Sequence, residues 1–574
     1  MLIEIKRREP PDGLCETATV EGDPFELPPI WTVENLISLY FRHVNLALPI
    51  VREDLFKKQC NELYNDGSSM PGKKWIAVFN QVLGIGAELH NMSRREERID
   101  SSTFLARAQT VNSFDYITGA HEDLQEVQAQ TLAALYFLIT SNIDRAWKVI
   151  GIASRLGIAL ELNFHSTHIF SERESFDARV NLWWSIFRLD TLLSLMTGRS
   201  SGLGENSSMA PLPLEFCSEV LSPNQLWERP PQNRSIRWTI YQKQDDMANQ
   251  RTLLQSLTPS HSLFQFYLVD LDLITHTIAN RVFGIDIFQD GWSDIERRIA
   301  YYNVKMDLWQ SDLHSAMQFA DDQGRPRTGS LSAFQAILAL QSYSARIVLN
   351  RPCFKRFGNK KEVQFPSSSF GGQTASNCLH ASLKLISLLP DLPDMDWYFL
   401  IGPWWSLLHF VVQALTILLI HLSLGPGMWG TAHEGIPELQ DSLSAADVSG
   451  TILAAAGKAL LWLSSLRKIN RAASRAFDRC YACLQLVAVT KAIDLGDMAR
   501  DSPFSNSPAS NLSGQESSGK ASNRALRRIG GPIIQFLLQP FASFGPDIDI
   551  HVHTSDPANT TFEDILASLM ETAP

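Results

Sequence analysis

Cysteine is scarce in this chain, with seven residues among 574. Cys15, Cys60, Cys217, Cys353 and Cys378 stand far apart, and only Cys480 and Cys483 form a C-x-x-C pair. Such scatter excludes a secreted disulfide framework and fits a reducing compartment. Charge is thin as well, at 19% of residues with a net charge of −11. A nucleic-acid surface needs clustered Lys and Arg to neutralise phosphates, so the body of the chain is not expected to be one. Strand-like alternation is missing throughout, and no repeat of fixed period is visible. A Gly-rich phosphate loop and an H-E-x-x-H pair are also missing, which removes two common signatures of nucleotide and zinc-hydrolase chemistry. The opening "MLIEIKRREPPDG" is charged, with no apolar stretch and no small-residue cleavage site, unlike a signal peptide.

Apolar residues are abundant instead, at 45% of the chain, far from the composition of a disordered protein. Residues 125–203 organise them. Val127, Thr131, Ala134 and Leu138 recur at steps of three or four. So do Trp147, Ile150, Ala153, Gly157 and Leu160, and then Val180, Trp183 or Trp184, and Phe187. Each series falls on one face of a 3.6-residue helix. The expected fold is all-α, a large array of packed antiparallel helices. Its centre is expected to bury Trp147 and the segment from Trp183 to Phe187 against each other.

Helical patterns continue on both sides, at about 31–56, 75–89, 101–112, 237–283, 290–320, 331–350, 375–390, 403–424, 445–468 and 471–495. Gly84, Gly86 and Ala87 would let helices approach closely, although glycine costs up to ~1 kcal/mol in helix propensity. Residues 1–30 read as a flexible lead and 31–499 as the helical domain. The Ser-rich stretch 500–523 reads as a disordered linker, and 524–574 as a tail with a short amphipathic helix. The apolar run 407–424 is close to the ~20 residues a membrane span needs. His409, Gln413 and His421 lie inside it, and lipid tolerates such groups poorly. A buried core helix is expected there, and no membrane association.

"RAWKVIGIASRLGIALEL", a polar gap, and "RVNLWWSIFRLDTLLSLMTGR" together resemble the middle homology region of fungal-specific transcription factors. Trp147, Trp184, Asp190, Gly198 and Arg199 carry that likeness, although Ser200-Ser201 stand where the family usually has Pro. A second point of resemblance is a helix ending in Asn350-Arg351-Pro352, whose plainer reading is a helix stopped by proline. The resemblance covers roughly 30–495. It implies a nuclear regulator of transcription by RNA polymerase II, acting in a metabolic or secondary-metabolite pathway. It also implies partners: DNA, reached indirectly or through a missing N-terminal domain, and transcription machinery or a partner regulator. A small-molecule effector and a homo- or heterodimer belong to the same expectation. Such proteins usually carry a zinc binuclear cluster of six close thiolates. These residues contain none, so no cofactor is expected here, and zinc only if an upstream six-cysteine segment is restored.

The remaining motifs carry bland readings. Asp190 falls near an apolar face and is expected to hold the helix end or the Gly198 turn through Arg188 or Arg199, since a buried carboxylate needs a partner. Cys480 and Cys483 share one helical face and are expected in the core, not on a metal. Gly198-Arg199-Ser200-Ser201-Gly202 fits G-x-S-x-G by letter, but a nucleophile elbow follows a strand and this one follows a helix. His551 and His553 read as part of a solvated acidic loop. In the tail, Phe562, Ile565, Leu566 and Leu569 lie at one-turn spacings among acids. That segment either docks on the protein's own core or serves as an activation segment folding onto a partner. The competing functional class is a helical ligand-binding or enzymatic protein, for which no catalytic motif is visible.

Overall fold

The structure is a computed structural model. It describes residues 25–66, 72–93, 98–111, 123–164, 173–204, 210, 212–213, 236–242, 247–283, 291–321, 331–352, 354, 370–424 and 445–491. Among these described residues the regular elements are helices, without strands. The first group comprises α1 Ile30–His43, α2 Glu53–Asp66, α3 Lys73–Ser93, α4 Ser101–Val111, α5 Leu124–Ile139, α6 Ile143–Ala159 and α7 Arg173–Thr197. A 3-10 turn, Thr239–Tyr241, precedes α8 Met247–Ser256, α9 His261–Phe283 and α10 Trp292–Asp312. The rest are α11 Ala333–Asn350, α12 Phe370–Ser387, α13 Met395–Leu400, α14 Leu407–Leu424, α15 Ala445–Leu466 and α16 Arg471–Lys491.

Neighbours in sequence are mostly neighbours in space. Helix α3 packs on α1, α4 and α5; α5 on α6; α6 on α7; and α7 on α9. The array continues from α9 through α10 and α11 to α12 and α14, with α15 and α16 against α14. Periodicity accounts for the faces: Val33, Leu36, Ile37, Tyr40 and Phe41 turn one side of α1 into the core. Gly86 is needed where α3 meets α1, because a Cβ there would collide with the backbone of Leu36. The beginning of the array is tied to its later part. Trp404 Nε1 donates to the carbonyl of His43 at 3.0 Å, and the His43 ring lies 3.0 Å from the carbonyl of Phe399.

Helix α14 sits among α11, α12, α15 and α16, with 72% of its residues buried. That is the environment of a core helix. A second segment, Val448–Leu466, is also long and apolar enough to cross a membrane, with 39% of its residues buried. One expectation needs correction. Trp147 is half-buried and lies at the edge of the core, whereas Trp183 and Trp184 are buried. Helix α11 ends at Asn350, before Pro352, as expected. Arg351 caps α11 with helical dihedrals, φ −56° and ψ −30°, which a following proline disfavours. The acidic segment carrying Phe562, Ile565, Leu566 and Leu569 lies outside the described residues, as do His551, His553, the lead through residue 24 and the linker 500–523.

Candidate functional site

Helix α7 ends at a glycine used for its backbone. Gly198 has φ 66°, and the next amide, Arg199 N, returns to the carbonyl of Ser194 at 3.2 Å. This closes the last turn in the left-handed manner that glycine allows at little cost. The chain then folds back over α7, and Ser201 donates its hydroxyl to Asp190 Oδ2. Burial pushes the Asp190 carboxyl above the usual carboxylate range, while Ser201 and the Gly202 amide oppose that rise. His276 of α9 completes the lock, its Nε2 3.1 Å from both Ser201 Oγ and the Leu203 carbonyl. Asp190 therefore holds the Gly198 turn as expected, but through Ser201. Neither Arg188 nor Arg199 reaches it.

Serine, histidine and aspartate thus meet at one place, and their order rules out a nucleophilic triad. The Leu203 carbonyl can only accept, so His276 Nε2 carries its hydrogen toward Leu203 and is not a base for Ser201. Asp190 sits on the serine, where a triad would place it on the second ring nitrogen. Ser200, the letter match to the nucleophile, is exposed after a helix.

Arg199 instead crosses to α6. Its guanidinium lies 4.9 Å from the Trp147 ring centroid and 2.7 Å from Asp144 Oδ1. Stacking and pairing together cover the indole from outside, which explains why Trp147 need not be interior. Trp184 packs in the core, edge-on to Phe187 at 5.6 Å and to Trp238 at 5.3 Å. Arg188 belongs to a separate junction. It donates through Nε to Asp272 at 2.7 Å and through a terminal nitrogen to the carbonyl of Ala47, while Gln341 also donates to Asp272. Burial pushes Asp272 up and Arg188 pulls it back. One arginine thereby joins α7, α9, α11 and the turn after α1.

Two residues before Asp272, Asp270 receives the Thr239 amide at 2.8 Å and the Thr239 hydroxyl at 2.7 Å. Burial raises its carboxyl to about 7, with Asp312 adding to the rise and Lys305 opposing it. Lys305 Nζ donates to the carbonyls of Thr239 and Gln242 at 2.8 and 3.3 Å, pinning the 3-10 turn onto α10. The sequence offered no signal for Ser201, His276, Asp144, Asp270 or Asp272, since each finds its partner across helices. Cys480 and Cys483 are buried and burial pushes both thiols up, as core cysteines should be. Among the described residues no group of three His, Cys, Asp or Glu could hold a metal.

A cavity of about 30 Å³ lies where α5, α14 and α16 meet, lined by Ser141, Met196, Trp405, His409 and Asn470 among others. That is room for water, not for a metabolite. Ser141 donates to Asn470 at 3.0 Å beside it.

The profile of the fungal specific transcription factor domain matches residues 37–319. The chain carries a fungal-specific transcription factor domain. Its matched span holds the α7 turn, the Arg188–Asp272 pair and the Asp270 cluster. Transcription regulator galc of Aspergillus niger is 29% identical over 513 residues, which are 83% of this chain and 60% of that protein. Sorbicillinoid biosynthetic cluster transcription factor 2 of Penicillium rubens is 22% identical, across 67% of this chain and 53% of that protein. The positive regulator of purine utilization of Emericella nidulans is 23% identical across 31% of this chain and 22% of its own length. The chain therefore spans 60% or less of each of these relatives. No solved structure matches it.

Proposed function

We propose that this chain is a fungal regulator of transcription, acting in the nucleus on the genes of one metabolic or secondary-metabolite pathway. The observation that carries the reading is the domain match over 37–319, supported by relatives whose names are those of transcription regulators. The helical body serves as the regulatory and interaction part, as a homo- or heterodimer with partner regulators or transcription machinery. DNA contact comes through a zinc binuclear-cluster segment outside these 574 residues or through a partner, because the net charge is −11 and no six-cysteine cluster is present. Deleting the gene should change the transcripts of one coherent gene set, and chromatin immunoprecipitation of the tagged protein should recover those promoters. An unchanged transcript profile with no promoter enrichment would refute the reading.

A further inference from the structure

Arg351 is set among four helices, with no carboxylate paired to it among the described residues. Its backbone caps α11, and its guanidinium carbon lies 5.3 Å from the ring centroid of Phe283 at the end of α9. Cys378 of α12 and His409 of α14 are the ionisable groups that feel its charge. The side chain is partly buried, and its Nε is shielded from solvent and has no acceptor. Among the described residues no Asp or Glu comes within ion-pair distance of it. The contrast with Arg107 and Arg188 is direct, because each of those more deeply buried arginines has its own carboxylate, Glu26 and Asp272.

The surroundings do not replace the missing charge. Phe283 offers a ring face, which orients a guanidinium but leaves its in-plane donors unused. The imidazole of His409 is buried, and burial together with the Arg351 charge drives its pKa down to about 3, so it stays neutral. Burial likewise holds Arg351 below the ordinary guanidinium range, and yet arginine does not give up its proton in proteins. A cation partly withdrawn from water without a counter-charge is incompletely satisfied. A fixed fork of N–H donors, stacked on an aromatic ring and lacking an acid, is the half of a bidentate pair that a planar or tetrahedral oxyanion completes.

We propose that Arg351 anchors a binding site for a small oxyanion, a carboxylate or phosphate group, between the ends of α9 and α11 and the flanks of α12 and α14. The ligand's oxygens accept from the guanidinium edge while Phe283 holds the guanidinium face. The site is separate from the α7 turn, and its test needs no DNA and no regulated gene. The other source of the same chemistry is a carboxylate from the chain's own segments outside the described residues.

The test uses the full purified chain and thermal unfolding at constant ionic strength, with sodium chloride replaced stepwise by sodium acetate or sodium phosphate. The expected result is a saturable rise in midpoint with one or both oxyanions. For a chain of this size the rise is about 2 °C at a hundredfold excess over Kd. Arg351→Gln should abolish it, and Arg351→Lys, which keeps the charge without the fork, should weaken it at least tenfold in concentration. Arg475→Gln, on α16, should leave it intact. Should the Gln variant fail to fold, the Lys variant carries the test. A rise of equal size in wild type and Arg351→Lys is a general salt effect and overturns the proposal. No saturable rise with either anion overturns it too, and assigns the guanidinium to the chain's own acids.

Discussion

Arg188 and Arg351 are both arginines set between helices, and they are satisfied in opposite ways. Arg188 meets Asp272, the Ala47 carbonyl and, through Asp272, Gln341, so that its charge is neutralised within the fold. Arg351 meets the Phe283 ring and no carboxylate among the described residues. The first arrangement is a joint: removing either half strands the other in the interior. The second is a donor awaiting an acceptor, and the fold should not depend on it in the same way.

The largest expected effect tests that difference. Asp272→Ala should lower stability by ~3–5 kcal/mol, since it leaves a buried guanidinium unpaired, whereas Arg351→Met in chloride buffer should change it by less than ~1 kcal/mol. Urea unfolding midpoints decide, and similar losses for both variants would erase the distinction. The two tryptophans extend the comparison. Trp184→Ala should cost ~3–5 kcal/mol as a large-to-small core change. Trp147→Ala should cost a fraction of that, because its ring is capped by Arg199 at the edge of the core.

Acidity sharpens it further. Asp270 is held at about 7 against an ordinary 3.8, so the folded state binds a proton more tightly than the unfolded chain. The stability linked to this carboxyl is fully present below pH ~4 and is lost as pH rises through about 7. Asp270→Asn should flatten the fall in urea midpoint between pH 4 and 7, and an unaltered slope would assign the fall to other groups. The smallest effect is expected at Arg199→Ala, below ~1 kcal/mol, because its pair with Asp144 is substantially solvent-exposed on both sides. High salt should reduce even that difference.

The helices were legible because their evidence is local. Steps of three and four in Val127, Thr131, Ala134 and Leu138 placed residues that are in fact buried, and Gly86 marked a close approach before its neighbour was known. Partners were not legible, because they depend on which helices meet. Arg188 and Asp272 are 84 residues apart, and Ser201 and His276 are 75 apart. Trp147 misled for the same reason. Periodicity assigns it to the face shared with Ile150 and Ala153, but cannot show that Arg199 comes back across α6 to cover it. Asp190 was assigned the right turn and the wrong partner, since a serine in a polar stretch carries no mark of its role.

The hydrogen bond from Trp404 to the carbonyl of His43 joins residues 361 apart, and it sets a schedule for the newly made chain. At ribosomal rates of ~5–20 residues per second, His43 leaves the ribosome roughly 20–70 s before Trp404 exists. Throughout that interval the end of α1 has neither the indole nor the Phe399 carbonyl against it. The C-terminal end of α1 is thus fastened long after the body of that helix has met α3. Its apolar face of Val33, Leu36 and Tyr40 has α3 to pack on within a few tens of residues, so only the His43 end waits that long.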